Sequence, residues 1–149
     1  MIGLILAILT FNIIAFKTNK ILNYKQIAHV WVFTIALQLS FDVYVDLKYL
    51  GYWYFTPDID WAAFLPHTFL IPPVNMVFIN LYPFHRSLWI KTRYILYWTI
   101  VILGYELIAL LPEPWGYFNY GWWNLGYSAV LDVILLNILI AYYKKFIAD

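Results

Sequence analysis

The stretch from Phe41 to Pro73, FDVYVDLKYLGYWYFTPDIDWAAFLPHTFLIPP, decides the fold of this 149-residue chain. It begins at the end of an apolar run with two aspartates four residues apart, and continues into an aromatic turn. It ends in an apolar segment that prolines interrupt. A proline removes an amide donor and clashes with the preceding turn, so it kinks a helix. The pattern predicts the outer end of one membrane helix, a short loop and the start of a second, kinked helix.

The composition places the chain in the membrane class. Hydrophobic residues make up 64% of the chain and charged residues 11%, whereas soluble domains are roughly half apolar and a quarter charged. The net charge of +1 predicts no basic surface for nucleic acid. The chain has no cysteine, which excludes disulfides and thiolate zinc sites. No cofactor motif is present, so we predict no cofactor.

The apolar runs predict an all-α fold, a polytopic membrane bundle of five transmembrane helices in a single domain. Backbone inside a bilayer must satisfy its own hydrogen bonds, which favours helices. Turn signals at Gly51, Pro57, Pro83 and Pro112 separate the runs. The predicted spans cover residues 1–20, 24–46, 62–82, 94–111 and 122–143, and the third is proline-kinked.

The basic residues predict the orientation. All Lys and Arg except Lys48 fall where the first helix passes into the second, where the third passes into the fourth, or after the fifth: Lys17, Lys20, Lys25, Arg86, Lys91, Arg93, Lys144 and Lys145. Positive residues collect on the cytoplasmic side. The N-terminus is therefore predicted outside and the C-terminus inside, in a multi-pass protein of the cell membrane.

The two outer loops are rich in aromatic residues, around Tyr52–Phe55 and Trp115–Trp123. Such rings form a belt at the level of the lipid head groups. They could also form a lid or a ligand platform over a pocket. The composition leaves both interpretations open.

Polar residues inside the spans predict a site. Ionisable groups there are rare, and they usually face the interior of the bundle. Spacings of four residues on the second and fifth helices place polar side chains in stripes. We expect one outward-opening cavity, lined by Gln38, Asp42, Asp46, His67, Asn75, Tyr105, Glu106, Asn124, Ser128 and Asp132.

Other roles for these groups stay open. Asp42 and Asp46 could be solvated at the membrane surface, and Glu106 and Asp132 could be hydrogen-bonding groups between helices. His67 has no second histidine at helical spacing, so no metal site is predicted.

The prolines of the third helix predict free backbone carbonyls. Pro72 and Pro73 leave the carbonyls of Thr68 and Phe69 without their helical donors. Such carbonyls can face a cavity or an ion, or the prolines can simply make a packing kink.

Several short motifs carry a resemblance. They are FDVYVDLKYLGYWYF, the Pro72–Pro73 pair, YPF at residues 82–84, LGYELIALL at 103–111 and GWWNLGYS at 121–128. In these motifs the chain resembles a family of small, uncharacterised multi-spanning proteins of spore-forming Gram-positive bacteria. The resemblance implies this topology and a bacterial membrane.

A second likeness lies in YWYFTPDIDWAAFLP, residues 52–66. It is similar to the lycopene-cyclase-type membrane domains, and implies acidic residues that protonate a prenyl chain inside a helical cavity. Where that family has paired glutamates after the proline, this chain has His67 and Thr68.

Three functions follow as hypotheses. The first is a non-enzymatic protein that binds a small apolar or amphipathic ligand, or a partner membrane subunit or second copy, among membrane lipids. The second is an intramembrane acid catalyst on an isoprenoid or lipid, with Glu106, Asp132 and Asp42 as candidate catalytic residues. The third is a component of a proton-coupled transporter or channel.

Overall fold

A computed structural model describes residues 1–148. The chain is mostly helical, which confirms the predicted helical class. The elements are α1 (Ile2–Thr18), α2 (Tyr24–Asp42), β1 (Tyr52–Tyr54), α3 (Ile71–Leu81), α4 (Leu88–Ala109), β2 (Phe118–Tyr120) and α5 (Leu125–Tyr142). Three helical stretches are long and apolar enough to cross a membrane: Tyr24–Lys48, Trp61–Leu81 and Leu125–Ile147.

Wider π-helical turns extend three of these helices. They cover Val43–Lys48 after α2, Pro66–Leu70 before α3, and Tyr143–Ile147 after α5. A short 3₁₀ turn, Trp61–Ala63, begins the α3 region. Single π-helical turns are frequent at functional sites, and the first two lie beside the polar groups described below.

Two helices begin at residues other than the first residues of the predicted spans. The span predicted at 94–111 is the helix α4, which begins at Leu88 and therefore includes Lys91 and Arg93. Lys and Arg can lie inside the end of a helix, because their long side chains carry the charged group toward water. The span predicted at 122–143 begins at Leu125, because the side chain of Asn124 accepts a hydrogen bond from the Tyr127 N–H and caps the helix.

The aromatic loops contain a two-stranded antiparallel sheet that the sequence analysis did not predict. In this ribbon, β1 pairs with β2 in the register Tyr52↔Tyr120, Trp53↔Asn119 and Tyr54↔Phe118. Aromatic residues fit extended backbone well. The ribbon joins the α2–α3 connection to the α4–α5 connection, so both connections lie at one end of the bundle.

Contacts between connections show that successive helices run in alternating directions. At the ribbon end, the N–H of Gly3 donates to the Pro114 carbonyl at 3.1 Å. At the opposite end, the N–H of Lys20 donates to Asn80 Oδ1 at 2.8 Å, and Gln26 Nε2 donates to the Ile147 carbonyl at 3.2 Å. We call this second end the basic end, since the connections there and the adjoining ends of the helices carry all the Lys and Arg except Lys48.

The distribution of polarity is the reverse of that in a soluble protein. Thr34, Asp42, Asp46, His67, Thr99 and Ser128 are buried, while large apolar side chains are exposed along the helices. On α1 alone, the exposed set comprises Ile2, Ile5, Leu6, Leu9, Ile13, Ile14 and Phe16. Extended exposed apolar surface marks contact with lipid or protein, and here it covers the sides of the bundle.

The carbonyls left by Pro72 and Pro73 have partners within the protein. Trp31 Nε1 donates to the Thr68 carbonyl at 2.7 Å, and Asn12 Nδ2 donates to the Phe69 carbonyl at 2.7 Å. The interpretation of these carbonyls as part of a cavity or ion site is therefore wrong. These hydrogen bonds connect α2 and α1 to the helical segment Pro66–Leu70, which precedes α3.

We predict that Trp31→Phe destabilises the protein by about 1 kcal/mol or more, because it leaves a carbonyl unpaired. Thermal unfolding in detergent measures the loss. Trp89→Phe is the matched control, since Trp89 is 69% exposed. Equal unfolding temperatures for the two variants would contradict the assigned role of Trp31.

Candidate functional site

A cavity of about 200 Å³ lies inside the bundle and is partly open. Side chains from all five helices and from the ribbon line it. The lining is mainly apolar, and aromatic rings form a large part of it: Phe11, Phe33, Tyr52, Tyr54, Trp98, Tyr105, Tyr117, Phe118 and Trp123. The aromatic residues of the outer loops thus include rings that face the interior as well as exposed ones such as Trp115.

Two carboxyl groups reach this cavity, Glu106 from α4 and Asp132 from α5. Glu106 Oε1 accepts hydrogen bonds from Ser128 Oγ at 2.6 Å and from the Tyr120 hydroxyl. Trp123 Nε1 donates in turn to Ser128 Oγ at 2.8 Å. Burial, and the hydrogen bond to Glu106, raise the pKa of Tyr120. Tyr120 therefore remains a donor, and Glu106 is fixed by two hydroxyl groups.

Asp132 lies one helical turn beyond Ser128 and has a different environment. Among residues 1–148, its Oδ2 atom is the buried side-chain oxygen that has no hydrogen-bond partner. A buried acceptor without a donor costs about 1–3 kcal/mol, and more when it is charged. Such an atom in a cavity wall can accept a hydrogen bond from a molecule inside the cavity, whether water or a ligand.

Neutral polar groups occupy other parts of the lining. Gln38 comes from α2 and Asn75 from α3. Asn75 Nδ2 donates to Thr34 Oγ1 at 2.9 Å, which links these two helices. The hydroxyls of Tyr105 and Tyr117 lie 3.0 Å apart and share a hydrogen bond.

A second polar cluster lies beside the cavity, at the end of α2. One oxygen of Asp42 accepts from the Tyr52 hydroxyl at 2.6 Å, and the other pairs with His67 Nε2. His67 Nδ1 contacts the Ala63 carbonyl at 2.5 Å. Asp42, Asp46 and His67 are 5%, 7% and 3% exposed, so water does not solvate them.

The hydrogen-bond chemistry of His67 defines the charge of this pair. The Ala63 carbonyl only accepts, so Nδ1 must carry a proton. One further proton lies between Nε2 and Asp42. The pair is then either an imidazolium with a carboxylate or a neutral imidazole with a carboxylic acid. In both cases its net charge is zero, which makes its burial tolerable.

The ribbon separates this cluster from the cavity. Tyr52 and Tyr54, together with Pro66, line the cavity, and the Tyr54 ring packs edge-on against His67 with centroids 5.0 Å apart. Burial, and next the Asp42 charge, raise the pKa of Tyr52, which keeps its hydroxyl protonated. Tyr52 and Tyr120 are opposite each other in the ribbon. Tyr52 donates to the buried Asp42, and Tyr120 donates to the partly buried Glu106.

The structure divides the predicted site residues. Six of them line the cavity: Gln38, Asn75, Tyr105, Glu106, Ser128 and Asp132. Asp42, Asp46 and His67, which were predicted to line the same cavity, are not among the lining residues. Tyr52 and Tyr54, which contact Asp42 and His67, line it instead. Asn124 does not line the cavity either, because its side chain caps α5.

Sequence reasoning missed the inward role of the ribbon tyrosines, and it missed Phe33 and Trp98. The tyrosines in both aromatic loops indicated that hydroxyl donors were available there. The two loops are far apart in the sequence, however, and no spacing in the sequence shows that they pair. Within residues 1–148, no three His, Asp or Glu side chains are grouped so that they could hold a metal ion.

The fold and the cavity define a class: a helical bundle with an internal pocket and with helices long and apolar enough to cross a membrane. Comparisons of the chain with protein-family models, with curated proteins and with solved structures found no match.

We predict that breaking the Asp42–His67 pair costs more than removing it. Asp42→Asn and His67→Gln should each destabilise the protein by about 3 kcal/mol, because each leaves a buried partner uncompensated. The double variant should lose clearly less than the sum of the two. Denaturant unfolding in mixed micelles tests this.

His29→Gln is the control, since His29 is exposed. Additive losses in the double variant would mean that Asp42 and His67 do not interact in the folded protein.

Proposed function

We propose that the chain crosses the membrane five times, with the N-terminus outside and the C-terminus inside. Three observations support this: the alternating helix directions, the gathering of positive charge at the basic end, and the apolar sides of the bundle. The hydrocarbon core is about 30 Å thick. At about 1.5 Å per residue, the 22 residues of α4 span it, and the 17 residues of α1 nearly do.

Cysteine labelling tests this topology, because the natural chain has no cysteine. In intact bacterial cells, a membrane-impermeant maleimide should label Asp58→Cys and Glu113→Cys. It should label Ser87→Cys and Lys145→Cys only after permeabilisation. All four positions are exposed, and the wild-type chain is the unlabelled control.

Two patterns would contradict the proposal. Labelling of Ser87→Cys and Glu113→Cys from the same side would exclude α4 as a span. A complete reversal would exclude the orientation but leave five spans.

The function that the geometry supports best is binding of a small ligand with an apolar body, without chemical conversion. The observation that carries it is the cavity itself, in which aromatic rings surround two carboxyl groups. An apolar cavity of about 150 Å³ holds benzene. The cavity here therefore suits a ligand of about one ring and a short chain.

The acid-catalyst alternative has support from the same rings, since aromatic faces stabilise a cation. A whole carotenoid-length chain exceeds the volume of the cavity, so only its terminal unit could enter. The transporter alternative has less support. The half of the bundle toward the basic end is packed with buried apolar side chains, including Met76, Phe78, Ile79, Leu139 and Ile140.

We predict that the protein, extracted in mild detergent, retains a small molecule detectable by native mass spectrometry. Val74→Phe, which fills the cavity, should lose this molecule, and Glu106→Gln or Asp132→Asn should reduce its occupancy. Glu113→Gln is the control, because Glu113 is exposed and lies outside the cavity lining.

The same experiment separates the alternatives. Recovery of a chemically altered molecule would favour the catalyst. An apo mass in the wild type and in all variants, unchanged after incubation with aromatic ligands, would overturn ligand binding and leave the carboxyls as structural groups.

A further inference from the structure

The cavity has an unbalanced charge. Among the described residues that line it, two are acidic, and none is Lys, Arg or His. A carboxylate in apolar surroundings is costly unless a positive charge or several donors compensate it. The protein therefore supplies hydrogen-bond acceptors at this site, but no positive side chain that would compensate their negative charge.

The two acids differ in what they need. Glu106 already accepts from the hydroxyls of Ser128 and Tyr120. Asp132 has no donor on its buried oxygen within residues 1–148. Asp132 is consequently the acceptor that a ligand would complete.

The surrounding rings are suited to a cation. A cavity of about 200 Å³ is roughly 6–7 Å across, and a cation is attracted to an aromatic face within about 6 Å. Trp98, Phe33 and Tyr105 line the same cavity as Asp132. A cation at Asp132 therefore shares a small cavity with several aromatic rings.

We propose that the cavity binds a small organic amine, whose aromatic or aliphatic body lies among the rings and whose ammonium group donates to Asp132. This inference rests on the proposed ligand-binding function. An amine that meets the carboxylic acid takes its proton, and an ammonium that meets the carboxylate brings one. Both routes give the same neutral pair of one ammonium and one carboxylate.

Other head groups fit less well. An alcohol supplies a hydrogen bond but leaves the negative charge uncompensated. A carboxylate repels both acids. A bare metal ion needs several oxygen ligands around it, whereas most of this lining is apolar. The amine alone supplies both the donor and the charge.

The test uses four compounds with one phenyl ring and similar length: 2-phenylethylamine, 2-phenylethanol, propylbenzene and 3-phenylpropionate. Binding to the full chain in non-ionic detergent is followed by the change in total tryptophan fluorescence, to which Trp98 and Trp123 in the cavity lining contribute, and by the shift in unfolding temperature. The amine should bind at least about tenfold more tightly than the alcohol, and the propionate most weakly.

Variants assign the effect to Asp132. Asp132→Asn should remove the advantage of the amine over the alcohol and leave propylbenzene binding within about twofold. Glu113→Gln should change nothing. Val74→Phe should abolish saturable binding of every compound, which separates the cavity from partition into the micelle.

Each outcome decides one proposal. Equal binding of the amine, alcohol and propylbenzene to the wild type would overturn the amine inference and leave the ligand cavity standing. An amine preference that persists in Asp132→Asn would overturn the role of Asp132. No saturable binding by any of the four compounds would overturn the amine inference together with the cavity as a site for ligands of this size. The wild-type comparison needs no variant, so it holds even where a substitution impairs folding.

Discussion

The constraint on which this structure depends is that polar groups inside an apolar bundle must find their partners within the protein. The broken helix before and through α3 shows it most directly. The carbonyls of Ala63, Thr68 and Phe69 accept from His67, Trp31 and Asn12 respectively. The last two donors lie on α2 and α1. Proline thus creates unsatisfied acceptors, and satisfying them fixes three helices against one another.

The ribbon follows from the same constraint. Asp42 and Glu106 are acceptors at the ends of different helices, and each obtains a donor from a tyrosine of the ribbon, Tyr52 or Tyr120. Opposed residues of an antiparallel pair share one face. A single pairing, Tyr52↔Tyr120, therefore delivers both hydroxyls inward at once. The ribbon closes the end of the bundle, forms one wall of the cavity and separates the His67 pair from it.

The sequence predicted what depends on local pattern. Apolar length predicted helices, and the four-residue spacing of Ser128 and Asp132 placed both on the cavity. The predictions failed where contacts between residues far apart in the sequence determine the structure. The spacing that includes Asn124 continues past the start of α5, where a cap replaces the helical turn. Asp42 and Asp46 follow a regular stripe, but the pairing of two distant tyrosine-containing loops places a wall in front of them.

The acids inside the bundle differ in the hydrogen-bond partners that the protein gives them, and the proposed ligand-binding function accounts for this difference. Asp42 has a histidine and a tyrosine, and Glu106 has two hydroxyls. Selection for stability alone would favour a donor for Asp132, or an apolar residue in its place, which would cost little stability. Instead, its buried oxygen lacks a partner among residues 1–148, in a cavity lined by rings. Groups kept at a cost to stability are typical of binding sites, which supports the proposal that a ligand supplies the donor to Asp132.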